Sequence, residues 1–465
     1  MNLRFLSSSK SSIDFKVLAV FLAVVFLLGG GARADIASLV LLRPLSVVLA
    51  GWWILRLDRA ALSRHRWFLL FAGVTFGLLL LHMIPLPPSL WQSLPQRDLV
   101  ERIDAAVGLG EVWRPLTLAP DAARNALWSL FVPFAVGLGM LRLDGRERRT
   151  MLAVVLGLGA MSLALSLLQV FAPSASVLWF YRVTNNGSPV GLFANRNHAA
   201  VFLAALLPLA TAWAMQQGDE KRAVLKRTAL VVAVVLVGLV ELVSGSRAGI
   251  VAYGAAILAS VLLLPTEWKP ARRRAKAPPA FLGRPRRSAL IAVVAFGALL
   301  VALLLLLGGQ ATALSRLFDS GTGDFRPMFW RRTTAMIGEY FPLGSGSASF
   351  VEAYRAGELP GDVMRSYANH AHNDYLEIAL TLGIPGILLV AAILAFIVFR
   401  LLAAWRIAPV PGSNVRLARA AGAALVIFAG ASIVDYPLRV PSLSAFAVVA
   451  LFWLVSPRSA GRDSS

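Results

Sequence analysis

Apolar residues fill the chain in runs of about 17 to 25 uncharged positions, separated by short polar or basic stretches, almost from end to end. A helix rises 1.5 Å per residue and the hydrocarbon core of a bilayer is about 30 Å thick, so each run has the length of a membrane-spanning helix. Twelve are predicted: 17–32, 36–55, 67–87, 125–143, 151–171, 198–217, 228–245, 247–264, 289–308, 375–399, 418–437 and 440–456. The expected fold class is all-α, a polytopic integral membrane protein forming one membrane domain over 1–465. The first run follows Lys10 and Lys16 and ends at Ala32-Arg33-Ala34, which imitates a signal-peptide cleavage site. It is read here as a retained helix.

Composition agrees: 58% of residues are hydrophobic, 15% are charged, and the mean hydropathy of +0.71 excludes an ordinary water-soluble globular domain. A net charge of +21 raises nucleic acid as a partner, but the charges are placed otherwise. Of the 45 Lys and Arg, 29 fall on one alternating set of connections, all six lysines among them. By the positive-inside rule that set is cytoplasmic, and so are both termini. The basic cytoplasmic loop 265–288, with Lys269 to Arg287, lacks interleaved aromatics and reads as a topology anchor, so no nucleic acid is expected. The absence of cysteine suits an oxidising outer compartment without requiring it.

Two outer segments are long. The Pro-rich loop 88–124 follows Pro85, Pro87 and Pro88, and the loop 309–374 carries Gly-rich turns around Gly321, Gly344 and Gly346. The second holds too many aromatics for disorder (Phe318, Phe325, Phe329, Trp330, Tyr340, Phe341, Phe350, Tyr354 and Tyr367), so a folded outer cap with short interfacial helices is expected. Catalytic groups are therefore sought on the outer side.

Among the five histidines, His65 lies in a cytoplasmic loop, His82 in the third run, and His198, His370 and His372 at outer helix ends. In Tyr367-Ala-Asn-His370-Ala-His372-Asn373-Asp374-Tyr375-Leu-Glu377, the acid pair Asp374 and Glu377 has capping-box spacing. A helix is predicted to start at Tyr375 and to be capped by Asp374. His372 then precedes a helix N-terminus, where positive potential disfavours imidazolium and attracts anions, which suits a neutral base beside a phosphate-bearing donor. Two other readings remain open: an interfacial hydrogen bond, and a metal-ligand run His370-x-His372-x-Asp374.

Arginines supply anion-binding forks: Arg247 in the turn Ser244-Gly-Ser-Arg247, and Arg326 in Asp324-Phe-Arg326, with Arg316, Arg331 and Arg332 nearby. Snorkelling for Arg247, and an ion pair with Asp319 or Asp324 for Arg326, are the structural alternatives. Gly191-Leu-Phe-Ala-Asn195-Arg196-Asn197-His198 opens a helix and offers amides, Arg196 and His198 to a glycan or to a cap. Glu241 is the acid placed well inside an apolar run and is expected to face the bundle, with Arg247 as a candidate partner. Pro385, between Gly383 and Gly386, is a candidate kink.

These residues resemble the O-antigen ligase and polymerase superfamily of bacterial envelope glycan transferases. The ligase pattern of His, then Asn, Ser or Gln, nine residues and Gly-x-x-Gly reads here as His372-Asn373, Asp374 to Leu382, and Gly383-Ile-Pro-Gly386. Gly191 to Pro208, Ser246-Arg247, Pro342-Leu-Gly-Ser-Gly346-Ser-Ala-Ser-Phe350 and Asp435-Tyr436-Pro437 also look like that family, giving an O-antigen ligase-like region over about 190–440. The resemblance implies a GT-C-like fold in the bacterial inner membrane. It also implies transfer of a glycan from undecaprenyl pyrophosphate to an acceptor hydroxyl, without metal or other cofactor.

By position, His372, Arg247 and Arg326 look like the family's catalytic residues. Asn195, Arg196, His198, His370, Asn373 and Arg331 are the candidate substrate-binding residues. The implied partners are the carrier-linked glycan donor, an acceptor that is lipid A core for a ligase or another lipid-linked glycan for a polymerase, and membrane lipids. The ligase pattern favours the first acceptor. A polysaccharide transporter or flippase would instead show broken helices at the bilayer midplane and a polar path.

Overall fold

The computed structural model describes residues 12–172, 176–185, 187–216, 219–264, 325–363, 367–409 and 413–456. The predicted run 289–308, the basic loop 265–288 and residues 309–324 of the cap loop lie outside the described residues. Every other predicted run holds a helix. In chain order the elements are α1 (Ile13–Leu28), α2 (Leu39–Ile54), α3 (Arg59–Arg64), α4 (Arg66–Leu81), β1 (Pro85–Leu86), α5 (Pro88–Trp91), α6 (Asp98–Ala106), β2 (Arg114–Pro115), α7 (Pro120–Arg142) and α8 (Gly145–Phe171). They continue with α9 (Arg196–Ala214), α10 (Glu220–Ser244), α11 (Arg247–Leu263), α12 (Arg326–Glu339), α13 (Phe350–Gly357), α14 (Asp374–Arg406), α15 (Val415–Ala431) and α16 (Pro441–Val455).

Five of these, α7, α8, α9, α10 and α14, are long and apolar enough to cross a membrane, and α2, α4, α11 and α16 are shorter apolar helices. The protein is thus an almost wholly helical, polytopic membrane protein, with fewer full-length spans among the described residues than the twelve expected. Several runs lose their last turns to caps and bends: α4 ends at Leu81 although the apolar run extends to 87.

The described residues gather into two compact units, drawn from Met1–Met151, Thr322–Phe399 and Ala429–Phe452, and from Leu152–Gly321, Arg400–Phe428 and Trp453–Ser465. Hydropathy, which scores each run separately, suggests only one domain. In the first unit α2 and α1 pack along α7. Glycines let the helices approach: a Cβ on Gly137 would fall 2.0 Å from the Phe68 ring, and one on Gly139 would fall 2.8 Å from Leu18. At one end Asp14 of α1 takes Arg56 (3.2 Å) and Arg142 (3.4 Å), so the start of α1 meets the ends of α2 and α7.

The segment 88–124 is folded. Pro85–Leu86 pairs antiparallel with Arg114–Pro115, a two-residue ladder that is the one departure from the all-α expectation among the described residues. Trp91 is buried beneath it and donates through Nε1 to the Val112 carbonyl (2.9 Å), while Arg114 grips the buried Asp104 carboxylate.

The Gly-x-x-Gly element has a physical reason in α14. The helix breaks at Gly383 (φ 57°, ψ −147°), two residues before the proline expected to kink it. That backbone region is open essentially to glycine alone. The break frees the Leu380 and Thr381 carbonyls, which accept from the N–H groups of Ser345 (2.8 Å) and Gly346 (2.9 Å), while Ile384 N–H donates to the Pro342 carbonyl (2.9 Å). The loop 342–346 is thereby laced into the helix. A Cβ at position 383 would lie 2.2 Å from the Pro342 carbonyl oxygen. Gly383→Ala is expected to cost about 3 kcal/mol, from strain plus lost lacing, read as a lower melting temperature in detergent. An unchanged melting temperature would refute this account of the motif.

In the second unit α9 packs extensively on α11 and also on α10. The loop before α9 is anchored to α8 through Gln169, whose Oε1 accepts from the N–H groups of Val190 (2.9 Å) and Gly191 (2.7 Å).

Candidate active site

The start of α14 is built differently from the capping box its spacing predicts. The helix begins at Asp374, and Asn373 is the cap: its Oδ1 accepts from the N–H groups of Tyr375 and Leu376, both at 3.0 Å. Asp374 is withdrawn from capping by Arg439, whose Nε lies 2.9 Å from Oδ1, and by Ser432, whose hydroxyl donates to Oδ2 (3.1 Å). Glu377 turns back past the cap, accepting the Ala371 N–H (2.9 Å) and sitting 3.0 Å from His370 Nδ1. Arg439 Nη1 reaches the same carboxylate at 3.1 Å. Burial pulls the Arg439 pKa down, but Glu377 and then Asp374 outweigh it, and the guanidinium ends above its ordinary value. The turn 370–373 therefore rests on a buried ionic platform.

On that platform His372 adopts φ 50°, a left-handed conformation uncommon for histidine. Its Nδ1 lies 3.2 Å from Asp435 Oδ1, and the other oxygen of that carboxylate lies 3.9 Å from Arg326 Nη2. Asp435 is 2% exposed, whereas the His372 and Arg326 side chains are each about a quarter exposed. A carboxylate accepts, so Nδ1 carries a proton, and in the neutral imidazole Nε2 is then the nitrogen that bears the lone pair. Aromatic rings fix the imidazole plane: Phe329 is nearly parallel to it (11°, centroids 6.3 Å apart), and Tyr436 packs against both His372 (5.0 Å) and His370 (4.2 Å). Trp330 Nε1 donates to the Ala371 carbonyl (3.1 Å), so one turn of α12 supplies Arg326, Phe329 and Trp330 to the site.

Arg331 is exposed and pairs with Asp362 (3.7 Å), and Arg332 pairs with Glu339 (2.9 Å), so of the described loop arginines it is Arg326 that joins His372. Arg316, Asp319 and Asp324 lie outside the described residues. The metal-ligand reading of His370, His372 and Asp374 meets three divergent side chains, engaged with Glu377, Asp435 and Arg439. His65 immediately precedes α4 and contacts Arg148 (3.0 Å); burial, then that arginine, pushes it down to about 4, a neutral packing residue. His82 accepts the Ser347 N–H at Nδ1 (3.0 Å), which fastens the Gly-rich loop.

In the second unit Asn195 caps α9 by accepting the Asn197 N–H (2.8 Å), and Arg196 Nη1 reaches Ser188 Oγ (3.4 Å). Ser246 caps α11 through the Gly249 N–H (2.9 Å) and donates to Asn197 Oδ1 (2.8 Å), so the N-termini bearing Arg196 and Arg247 are tied together. His198 is buried with Ala199 and Ala200. Glu241 does face the bundle, but neither carboxylate oxygen has a hydrogen-bond partner among the described residues. It packs against Gly249, where a Cβ would lie 2.1 Å from Oε2, rather than pairing with Arg247.

Asp435, Tyr436 and Arg439 are the site residues that sequence reasoning did not select. Asp435 and Tyr436 stood in a quoted motif, but nothing local marks their partners, which lie more than 60 residues away. Residues 232–391 match the family model described as O-antigen ligase, a span that includes Arg247, Arg326, His372 and Gly383-x-x-Gly386 and stops short of Asp435 and Arg439. No curated protein matches the chain. Over residues 232–391 this polytopic helical chain is thus similar to the O-antigen ligase family, in agreement with the resemblance carried by its motifs.

Proposed function

We propose that the protein is a metal-independent glycan transferase of the bacterial inner membrane, moving a glycan from undecaprenyl pyrophosphate to a lipid A core hydroxyl on the outer face. The observation that carries this reading is the buried Asp435 carboxylate shared by His372 and Arg326 at the head of α14. Asp435 holds Nδ1, leaving Nε2 to take the proton of the acceptor hydroxyl as its oxygen attacks the anomeric carbon. The bond to the pyrophosphate oxygen breaks, and carrier pyrophosphate departs with its charge held by arginine forks. Arg326 is one. Family position assigns Arg247 as the other, and an Arg247→Met variant that transfers normally would remove it from the scheme.

The outer compartment lacks nucleotide sugars, so a donor already activated on a lipid suits chemistry there, and the excess of basic residues on alternate connections supports a topology with both termini in the cytoplasm. A transporter reading gains little from the break in α14, because its freed backbone groups are taken by the loop 342–346 instead of lining a path.

Glycan profiling of a deletion strain complemented with the wild type tests the reading. Full-length chains left on the carrier in the deletion strain indicate a ligase. Single repeat units left there indicate a polymerase, and an unchanged profile refutes both. Asp435→Asn, nearly isosteric, is expected to lower kcat by roughly 10²–10⁴-fold with little change in KM, because an amide at this position donates to Nδ1 and moves the proton to Nε2. Rates within a few-fold of wild type would show that Asp435 does not set the tautomer.

A further inference from the structure

We propose that Arg43 of α2, with Asn125 and Ser129 of α7, forms a binding site for a lipid-borne phosphate at the end of the first unit that carries His372. Contacts within that unit establish the common end. Ser38, before α2, donates to the Leu28 carbonyl at the end of α1, and Ser442 N–H, at the start of α16, donates to the Gly29 carbonyl (3.0 Å). Arg439, two residues before α16, grips Asp374 at the start of α14. The opposite ends of α1, α2 and α7 meet at Asp14, Arg56 and Arg142. Arg43, in the second turn of α2, thus lies one turn from the end that bears the site.

Its guanidinium is held by neutral groups. Nη1 donates to Asn125 Oδ1, and Nη2 donates to Ser129 Oγ (3.0 Å). The Ser129 proton is spent on the Asn125 carbonyl (3.0 Å), which leaves that hydroxyl oxygen an acceptor for the arginine. No carboxylate pairs with Arg43 among the described residues, and its Nε is buried without a hydrogen-bond partner. A neutral Asn and Ser fix the direction of the fork but leave its charge uncompensated. Intramembrane arginines are costly and pair with an anion or line a polar path.

The surroundings identify the anion's carrier. Val40, Leu41 and Val48, on the same helix, are each about 70% exposed in a chain whose solvent along such faces is lipid. A fork of five donors with two committed matches phosphate oxygens. A phosphate attached to a lipid reaches this position with its chains along the exposed apolar face. Two sources share that chemistry: the headgroup of a bystander anionic phospholipid, and the phosphate of a polyprenyl carrier.

The test measures binding, not transfer, so its outcome is independent of the role assigned to His372. Full-length wild type, Arg43→Gln and Arg43→Lys are purified in detergent and titrated with phosphatidylglycerol, undecaprenyl phosphate and diacylglycerol, with bound lipid read by native mass spectrometry. Arg43→Gln is expected to lose at least tenfold in affinity for a phosphate-bearing lipid and nothing for diacylglycerol. Loss for both phosphate lipids identifies a general headgroup site, and loss for undecaprenyl phosphate alone identifies a carrier site. Equal affinities of wild type and Arg43→Gln for both overturn the proposal. If Arg43→Gln does not fold, Arg43→Lys, which keeps the charge but not the fork, is expected to lose several-fold, and its equality with wild type overturns the proposal in the same way.

Discussion

Replacing His372 by alanine is expected to lower glycan transfer by about 10³-fold or more, while the protein remains in the membrane at wild-type abundance. The size follows from the position of the imidazole. Among the described residues it has one polar side-chain partner, the Asp435 carboxylate at Nδ1, and two aromatic neighbours that fix its plane, an arrangement suited to presenting Nε2 as a base. Deletion leaves Asp435 still paired with Arg326 and leaves the Asp374, Glu377 and Arg439 platform untouched, so stability should change little. Transfer from a synthetic lipid pyrophosphate donor by purified protein measures the effect. Residual activity within tenfold of wild type, at equal folding, would remove His372 from the mechanism and the proposed reaction with it.

Replacing Arg439 by methionine is expected to cost roughly 3–5 kcal/mol of stability, because it strands two buried carboxylates that share one guanidinium. Asp374 and Glu377 are each less than 10% exposed, and Arg439 lies 2.9 Å from one and 3.1 Å from the other. Unpaired buried carboxylates either take up protons or drag the chain towards water, and both loosen the turn that sets His372. Adding Glu377→Gln to Arg439→Met should recover part of the loss, since an amide still accepts the Ala371 N–H without a charge to strand. Thermal unfolding in detergent reads both. A single variant as stable as wild type would mean that the platform is not held by its charges.

The Gly-x-x-Gly segment illustrates how far a motif can be read. Its glycines are visible in the chain, and a proline between them suggests a kink. That Gly383, not Pro385, breaks α14 depends on the loop 342–346, which takes up the exposed backbone groups. Likewise Asp374 and Glu377 have capping-box spacing, yet Arg439 and Ser432 compete for the first carboxylate, and the cap passes to Asn373. A local rule yields where a buried partner from a distant segment offers a stronger interaction.

Helix after helix in a chain built for lipid, the alternation of basic connections, and the identity of His372, Arg247 and Arg326 as candidates are properties of residue type and spacing, which a linear chain carries in full. Helical hydrogen bonds are local, and the cost of placing charge in hydrocarbon belongs to each residue wherever the others lie. Choosing Arg326 over Arg331 beside His372, and bringing Asp435 and Arg439 to the head of α14, required the folded chain. Buried ion pairs form between segments tens of residues apart, and nothing in either segment names the other.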